Sequence, residues 1–354
     1  MDATVSHPGQ PRHNSSQPFL AADVGGTHAR IALVRASDAR DHGVEMLAYR
    51  KFVCSEHSTL DGLLQSFVEA EGAESVRGCV LACAGHVVGD DVMHDNLAWP
   101  ISLSRLRGAL GFDELIVLND FEALGYALAS AQHLDARLLC GPDLHPVAPT
   151  LVVGPGTGLG AAVRVATPAG AFVIATEAGQ MDLAPQTLRE REVLARLAPD
   201  GGYVPCERIL SGPGLLTLYR TLCALNGASP TLANPEAVGA AARAYADRQA
   251  AEAVDLFCAS LGSFVGNLAM TFMAGGGVYL AGGFLSSMFD LLHRSDFAMR
   301  FLHERSVRAF LERVPVRVIE HGQNGVLGAA RFYIDRRRLV HAARASTTEC
   351  SPAK

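Results

Sequence analysis

Leu20-Ala-Ala-Asp23-Val-Gly25-Gly26-Thr27-His28-Ala-Arg30-Ile-Ala-Leu33 reads as strand, turn, strand, and the chain says nearly the same thing at Leu151-Val-Val-Gly154-Pro-Gly156-Thr157-Gly158-Leu-Gly160-Ala-Ala-Val163. In each stretch an apolar run predicts a buried strand. The glycines then turn the chain through positive φ and bring bare backbone N–H groups forward, and a second apolar run returns as the partner strand. Amides in such a turn form an anion nest, and a Thr hydroxyl in each adds a donor. Two turns of this kind could grip a polyphosphate from both sides. Neither G-x-G-x-x-G opening a helix nor G-x-x-x-x-G-K-[ST] is present, which weighs against Rossmann and P-loop readings. Either stretch alone also fits an ordinary Gly-rich β-turn. Together, in matching strand contexts, they favour phosphate.

The 354 residues suffice for two domains at roughly 150 residues each. With 49% hydrophobic and 19% charged residues the chain is globular in composition. A formal net charge of −6 leaves no general basic field for nucleic acid. The run Arg336-Arg337-Arg338 is expected to end a helix, where cations suit the C-terminal dipole. Cys54, Cys79, Cys83, Cys140, Cys206, Cys223, Cys258 and Cys350 form no C-x-x-C pair and have no His at metal spacing, so they read as reduced, mostly buried thiols in a cytoplasmic protein.

Residues 1–17 and 342–354 are polar and read as disordered tails. Leu256 to Phe289 carries no charge and mimics a membrane span. Asn267, Gly275-Gly276-Gly277 and Gly282-Gly283 instead divide it into a buried helix, a short strand and a turn, and no membrane partner is expected. Strands are predicted at 19–24, 29–35, 45–53, 78–84 and 115–118, with helices near 59–71, 102–110 and 121–131. After a Pro-rich connector at 141–149 the theme repeats with strands over 151–165 and 171–175. Helices follow near 186–197, 212–225, 234–248 and 250–273. A strand at 315–319 and a helix at 325–337 return to complete the first half. The order implies an imperfectly duplicated α/β fold with a mixed sheet in each lobe and a ligand cleft between them.

Asn119 and Asp120 stand between the strand ending at Leu118 and the next helix, where open α/β sheets bind ligands. Both also suit helix capping. Glu177 and Gln180 follow a strand in a polar, Gly-containing segment, and equally fit a surface turn. Glu207 precedes Ser211-Gly212-Pro213-Gly214 and could simply pair with Arg208. As a set these residues offer the acceptors and amides that vicinal hydroxyls want.

Six ordered motifs resemble the bacterial glucokinase family of the actin-like (ribonuclease H-like) sugar-kinase ATPase fold: DVGGTHARIAL (23–33), LNDFEALGYAL (118–128), GPGTGLGAA (154–162), TEAGQMDLAP (176–185), ERILSGPGLLTLYR (207–220) and GGVYLAGGF (276–284). The resemblance covers about residues 18 to 337. It implies a small lobe of 18–130 plus 322–341 and a large lobe of 131–321. It also implies ATP-dependent phosphorylation of D-glucose, with Asp120 as general base on the 6-hydroxyl and Asn119, Glu177 and Glu207 holding other hydroxyls. Gly25, Gly26, Thr27, Gly156, Thr157 and Gly158 would hold ATP phosphates. Asp23 would orient Mg²⁺ through water, and Gly282 and Gly283 would lie beside the adenosine. A homodimer is implied as well. This chain departs from the family pattern at Gln180, where His is common, at His28 in place of Asn, and at Ala178 in place of Gly, whose methyl is expected close to the sugar. Those departures keep open a kinase for another hexose, such as mannose or fructose, and a sugar-sensing protein with weak catalysis.

Overall fold

The computed structural model describes residues 17–37, 43–94, 97–129, 134–167, 170–302, 306–320 and 322–349, with backbone alone from 341. The expected N-terminal tail before Gln17, and Cys350 with the residues after it, lie outside the described residues.

The first half contains β1 (Phe19–Val24), β2 (His28–Ala36), β3 (Val44–Val53), α1 (Leu60–Ala70), β4 (Gly78–Cys83), α2 (Leu103–Leu110), β8 (Glu114–Asn119) and α3 (Asp120–Ala127). A small three-stranded sheet of β5 (His86–Val88), β6 (Asp91–Met93) and β7 (Ile101–Ser102) follows β4. The five main strands form a mixed sheet in the order β3-β2-β1-β4-β8, in which β1 is antiparallel to β2 and parallel to β4.

The second half repeats this scheme. Its sheet contains β9 (Ala136–Cys140), β10 (Thr150–Pro155), β11 (Leu159–Thr167), β12 (Gly170–Thr176), β13 (Gly277–Ala281) and β14 (Val316–Ile319), ordered β12-β11-β10-β13-β14-β9. Here β10 is antiparallel to β11 and parallel to β13, as β1 is to β2 and β4. Its helices are α4 (Leu188–Leu197), α5 (Gly212–Leu225), α6 (Pro235–Arg243) and α7 (Arg248–Thr271), then the short α8 (Gly283–Ser287), α9 (Phe289–Arg294), α10 (Phe297–Leu302) and α11 (Arg308–Leu311). The chain closes with α12 (Asn324–Glu349).

Alternation along the strands builds the layers. On β1, Leu20, Ala22 and Val24 face a core with α1 and α2, while Phe19 and Ala21 face the opposite way onto α12. On β10, Leu151 and Val153 face α5 and α7, and Val152 faces α3. The helices α3 and α12 pack on each other and form the middle layer between the two sheets.

Local signals set most helix starts. Thr59, Ser211, Asn234 and Asp247 each cap the helix that follows, and Pro213 and Pro235 occupy first-turn positions where no N–H is missed. The helix expected to reach 248 stops at Arg243, with Tyr245 at φ 52 breaking it. The long apolar helix α7 is a core helix, since 78% of its most apolar window is buried within the fold.

Two sequence expectations are corrected at the C-terminus. The last helix runs to Glu349, well into the stretch expected to be a tail, because no Gly or Pro interrupts the chain between Gly328 and Pro352. The Arg336–Arg338 run therefore lies inside α12, where Arg337 approaches Glu114 at 4.0 Å and stacks over Tyr333.

Candidate active site

The C-terminal ends of β1, β4, β8, β10, β12 and β13 open on one cleft of about 370 Å³. It is lined by Asp23, Gly25, Gly26, Thr27, Asn119, Asp120, Gly156, Thr157, Gly158, Glu177, Glu207 and Gly282. Of the residues singled out in the sequence, Gln180, Gly283 and Ala178 are absent from this lining, the first two exposed and Ala178 buried.

The first glycine turn is closed by Gly25 N–H donating to the His28 carbonyl (3.0 Å) and tied to the next segment by Cys54 N–H donating to the Thr27 carbonyl (2.9 Å). Gly26 and Thr27 are exposed at its tip. Behind it the Asp23 carboxylate is 2% exposed, and Arg30, directly opposite in the β1/β2 register, lies 3.3 Å away. The guanidinium offsets the cost of burying that carboxylate and itself lines the cleft. Sequence reading missed Arg30 as a site residue; the available signal was its position opposite an acid across a tight turn. Burial, then the charges of Lys51 and Arg30, lower the His28 imidazole from its usual 6.5, so it adds no charge here at neutral pH.

The second turn is closed by Gly156 N–H donating to the Gly158 carbonyl (2.8 Å). Outside it, Gly212 N–H donates to the Gly156 carbonyl (2.8 Å), and Leu159 N–H donates to Glu207 Oε2 (2.7 Å). Glu207 is thus a half-buried carboxylate bound to the turn itself, and not a partner of Arg208.

Asn119 takes the capping role and Asp120 follows it as the first residue of α3, and both line the cleft. Asn119 Oδ1 caps α3 by accepting from the N–H groups of Phe121 (2.9 Å) and Glu122 (3.2 Å), which leaves its NH₂ as the group to offer a ligand. Asp120 stands in the first turn of α3, where the helix dipole favours negative charge. The next residue, Phe121, seats its ring against Gly154 and Gly160 of the second hairpin. A Cβ at Gly160 would come within 2.0 Å of the ring, and one at Gly154 within 2.7 Å. Under the floor of the cleft the Cys83 thiol is pushed up to about 12, chiefly by burial and then by the carboxylates of Asp120 and Asp23, so it stays protonated.

Glu177 sits at the rim, 65% exposed, with His86 Nε2 of the small sheet 3.7 Å from its Oε1. Gln180 turns towards Tyr203, whose hydroxyl donates to the Gln180 carbonyl and lies 3.4 Å from Oε1. The Ala178 methyl, expected near the sugar, packs instead into the core beneath β11. Among the described residues no group of three His, Cys, Asp or Glu could hold a metal ion. A single carboxylate such as Asp23 suits Mg²⁺, which keeps much of its water and takes the rest of its shell from phosphates.

Comparisons with known proteins converge on one family. The family described as Glucokinase matches residues 20–336. A glucokinase-like protein of Xylella fastidiosa (strain Temecula1) is 42% identical over 90% of this chain and 95% of its own length. The glucokinase of Saccharophagus degradans is 35% identical over 89% and 98%. A crystal structure of glucokinase from an Antarctic psychrotroph aligns with a TM-score of 0.76 at 30% identity, covering 89% of this chain and 98% of that one.

Proposed function

The chain belongs to the glucokinase family of hexokinase-type sugar kinases, with the actin-like ATPase fold, and on that premise we propose that it transfers the γ-phosphoryl of ATP to the 6-hydroxyl of D-glucose. One observation carries the reading most: the Asp120 carboxylate opens onto the same cleft as both glycine turns. The turns at Gly25–Thr27 and Gly156–Gly158 would hold the phosphates through backbone N–H groups, with the Arg30 guanidinium as the added cation. Asp120 would accept the proton of the 6-hydroxyl. The Asn119 NH₂ and the Glu177 and Glu207 carboxylates would hold the remaining hydroxyls, and Gly282 and Gly283 would flank the adenosine. Asp23 would hold Mg²⁺ through water, and that ion would neutralise charge on the phosphates. The chain's own contribution is in-line positioning and a closed cleft that keeps water, a rival acceptor, from the phosphoryl group.

We assign residues 18–130 and 322–341 to a small lobe and 131–321 to a large lobe whose approach closes the cleft. A cytoplasmic homodimer acting in glucose metabolism is the corresponding setting. The outward turn of Gln180 towards Tyr203 favours one second reading, a kinase whose best sugar is mannose or fructose.

Coupled-assay rates with Mg·ATP across glucose, mannose, fructose and N-acetylglucosamine, with Asp120→Asn beside the wild type, test these readings. Glucose is expected to lead. Asp120→Asn should lose about 10²- to 10⁴-fold in turnover while glucose binding stays within about tenfold, roughly 1.4 kcal/mol. Undiminished turnover in the variant removes Asp120 as base. Tight glucose binding without ATP consumption by the wild type makes the protein a sensor.

A further inference from the structure

Glu207 lines the cleft and touches its second glycine turn. It sits in the single 3-10 turn Cys206–Arg208 that leads into α5, and its Oε2 accepts the N–H of Leu159, the residue that leaves the second glycine turn (2.7 Å). The fit is tight, for a Cβ at Gly158 would stand 2.5 Å from that same oxygen. Glycine at 158 is therefore what lets the carboxylate reach the turn. The segment after Glu207 holds the turn from a second point, because Gly212 N–H donates to the Gly156 carbonyl. Ser211 stiffens that segment, its hydroxyl donating to the Glu207 carbonyl (3.0 Å) while accepting the Gly214 N–H (3.0 Å). Glu177, another carboxylate expected to meet sugar, has no such link among the described residues. It is exposed, and His86 Nε2 lies 3.7 Å from its Oε1.

A carboxylate that accepts one N–H retains lone pairs for a hydroxyl. We propose that Glu207 is the positioning residue that couples the two substrates: a sugar hydroxyl on Oε1 fixes the carboxylate, and through Oε2 it fixes the phosphate-binding turn. Sugar and nucleotide then each tighten the other's binding by the same factor, as linkage requires. This rests on the sugar-kinase reading above and adds to it a specific route between the sites.

Calorimetric titration of the full chain with Mg·AMPPNP, with and without saturating glucose, reads the coupling directly. In the wild type glucose should tighten AMPPNP binding about tenfold. Glu207→Ala and the shorter Glu207→Asp should bring that ratio close to one. Gly158→Ala should do the same with the carboxylate intact, by pushing it off the turn. Glu177→Gln should weaken glucose binding yet keep the ratio. Unfolding midpoints for each variant identify any that fail to fold, and the remaining variants then carry the comparison. A ratio near one in the wild type, or one that survives in folded Glu207 and Gly158 variants, overturns the coupling role. If the wild type binds no hexose at all, the substrate reading has failed first, and the coupling role falls with it.

Discussion

Phe121 locates its neighbour Asp120 by filling a slot that only glycine leaves open. Its ring lies where side chains at Gly154 and Gly160 would otherwise stand, so the start of α3 is seated on the second glycine hairpin. Gly160→Ala puts a methyl about where the ring is and must displace it, since interiors tolerate little overlap. We expect a stability loss of about 1–3 kcal/mol by urea unfolding. A fall in kcat approaching 10²-fold should accompany it, because a shift of about 1 Å in a reacting group can cost that much. KM for the sugar should change far less, since Asn119, Glu177 and Glu207 remain. Kinetic constants equal to the wild type would mean that the slot does not position Asp120.

Among the elements, α4 is anchored by one carboxylate. Glu190 completes a capping box with Thr187, accepting the N–H groups of Gln186 and Thr187 (3.0 Å for the latter), and pairs with Arg300 of α10 at 2.8 Å. Arg300 in turn donates to Ser263 Oγ of α7 (2.8 Å), so three helices meet at this pair. Burial alone would raise the Glu190 carboxyl, but Arg300 and the two backbone donors outweigh it and hold it below the usual 4.5. A carboxyl lowered by folding stabilises fully above its unfolded value, and that contribution is lost as pH falls through the folded one. Glu190→Gln should cost about 3 kcal/mol at neutral pH, since it leaves the partly buried Arg300 guanidinium without its counter-charge. In urea unfolding at successive pH values the gap between wild type and variant should narrow below 4.5. A gap that is constant with pH would assign the loss to packing alone.

For the whole molecule the decisive feature is the middle layer. α12 lies on the first sheet and α3 on the second, and the two helices touch backbone to backbone, with a Cβ at Gly328 falling 1.8 Å from the Ala123 carbonyl. Gly328→Ala must pry the helices apart, at a cost of about 3 kcal/mol. Because α3 begins at Asp120 and packs on β10, β11 and β12, turnover should fall along with stability. Amide exchange should speed up in both sheets together. Loss of protection in one sheet only would show that the layer does not join them.

The sequence by itself determined the two glycine hairpins, the alternation that gives each central strand two buried faces, the places of the main strands along the chain, and most helix starts. These rest on local chemistry: residue periodicity, glycine turns and capping side chains. Asn119 and Asp120 were legible for the same reason, since an acid between a strand and a helix has few places to go. The strands β5, β6 and β7 and the helices α8 to α11 are too short to leave a clear period, and they hold shape through packing. Only the tertiary structure decided that Glu207 binds the Gly156–Gly158 turn, that Ala178 is buried and that Gln180 faces Tyr203. Each of those facts is a contact between side chains or turns set by how distant segments pack, which no local pattern encodes.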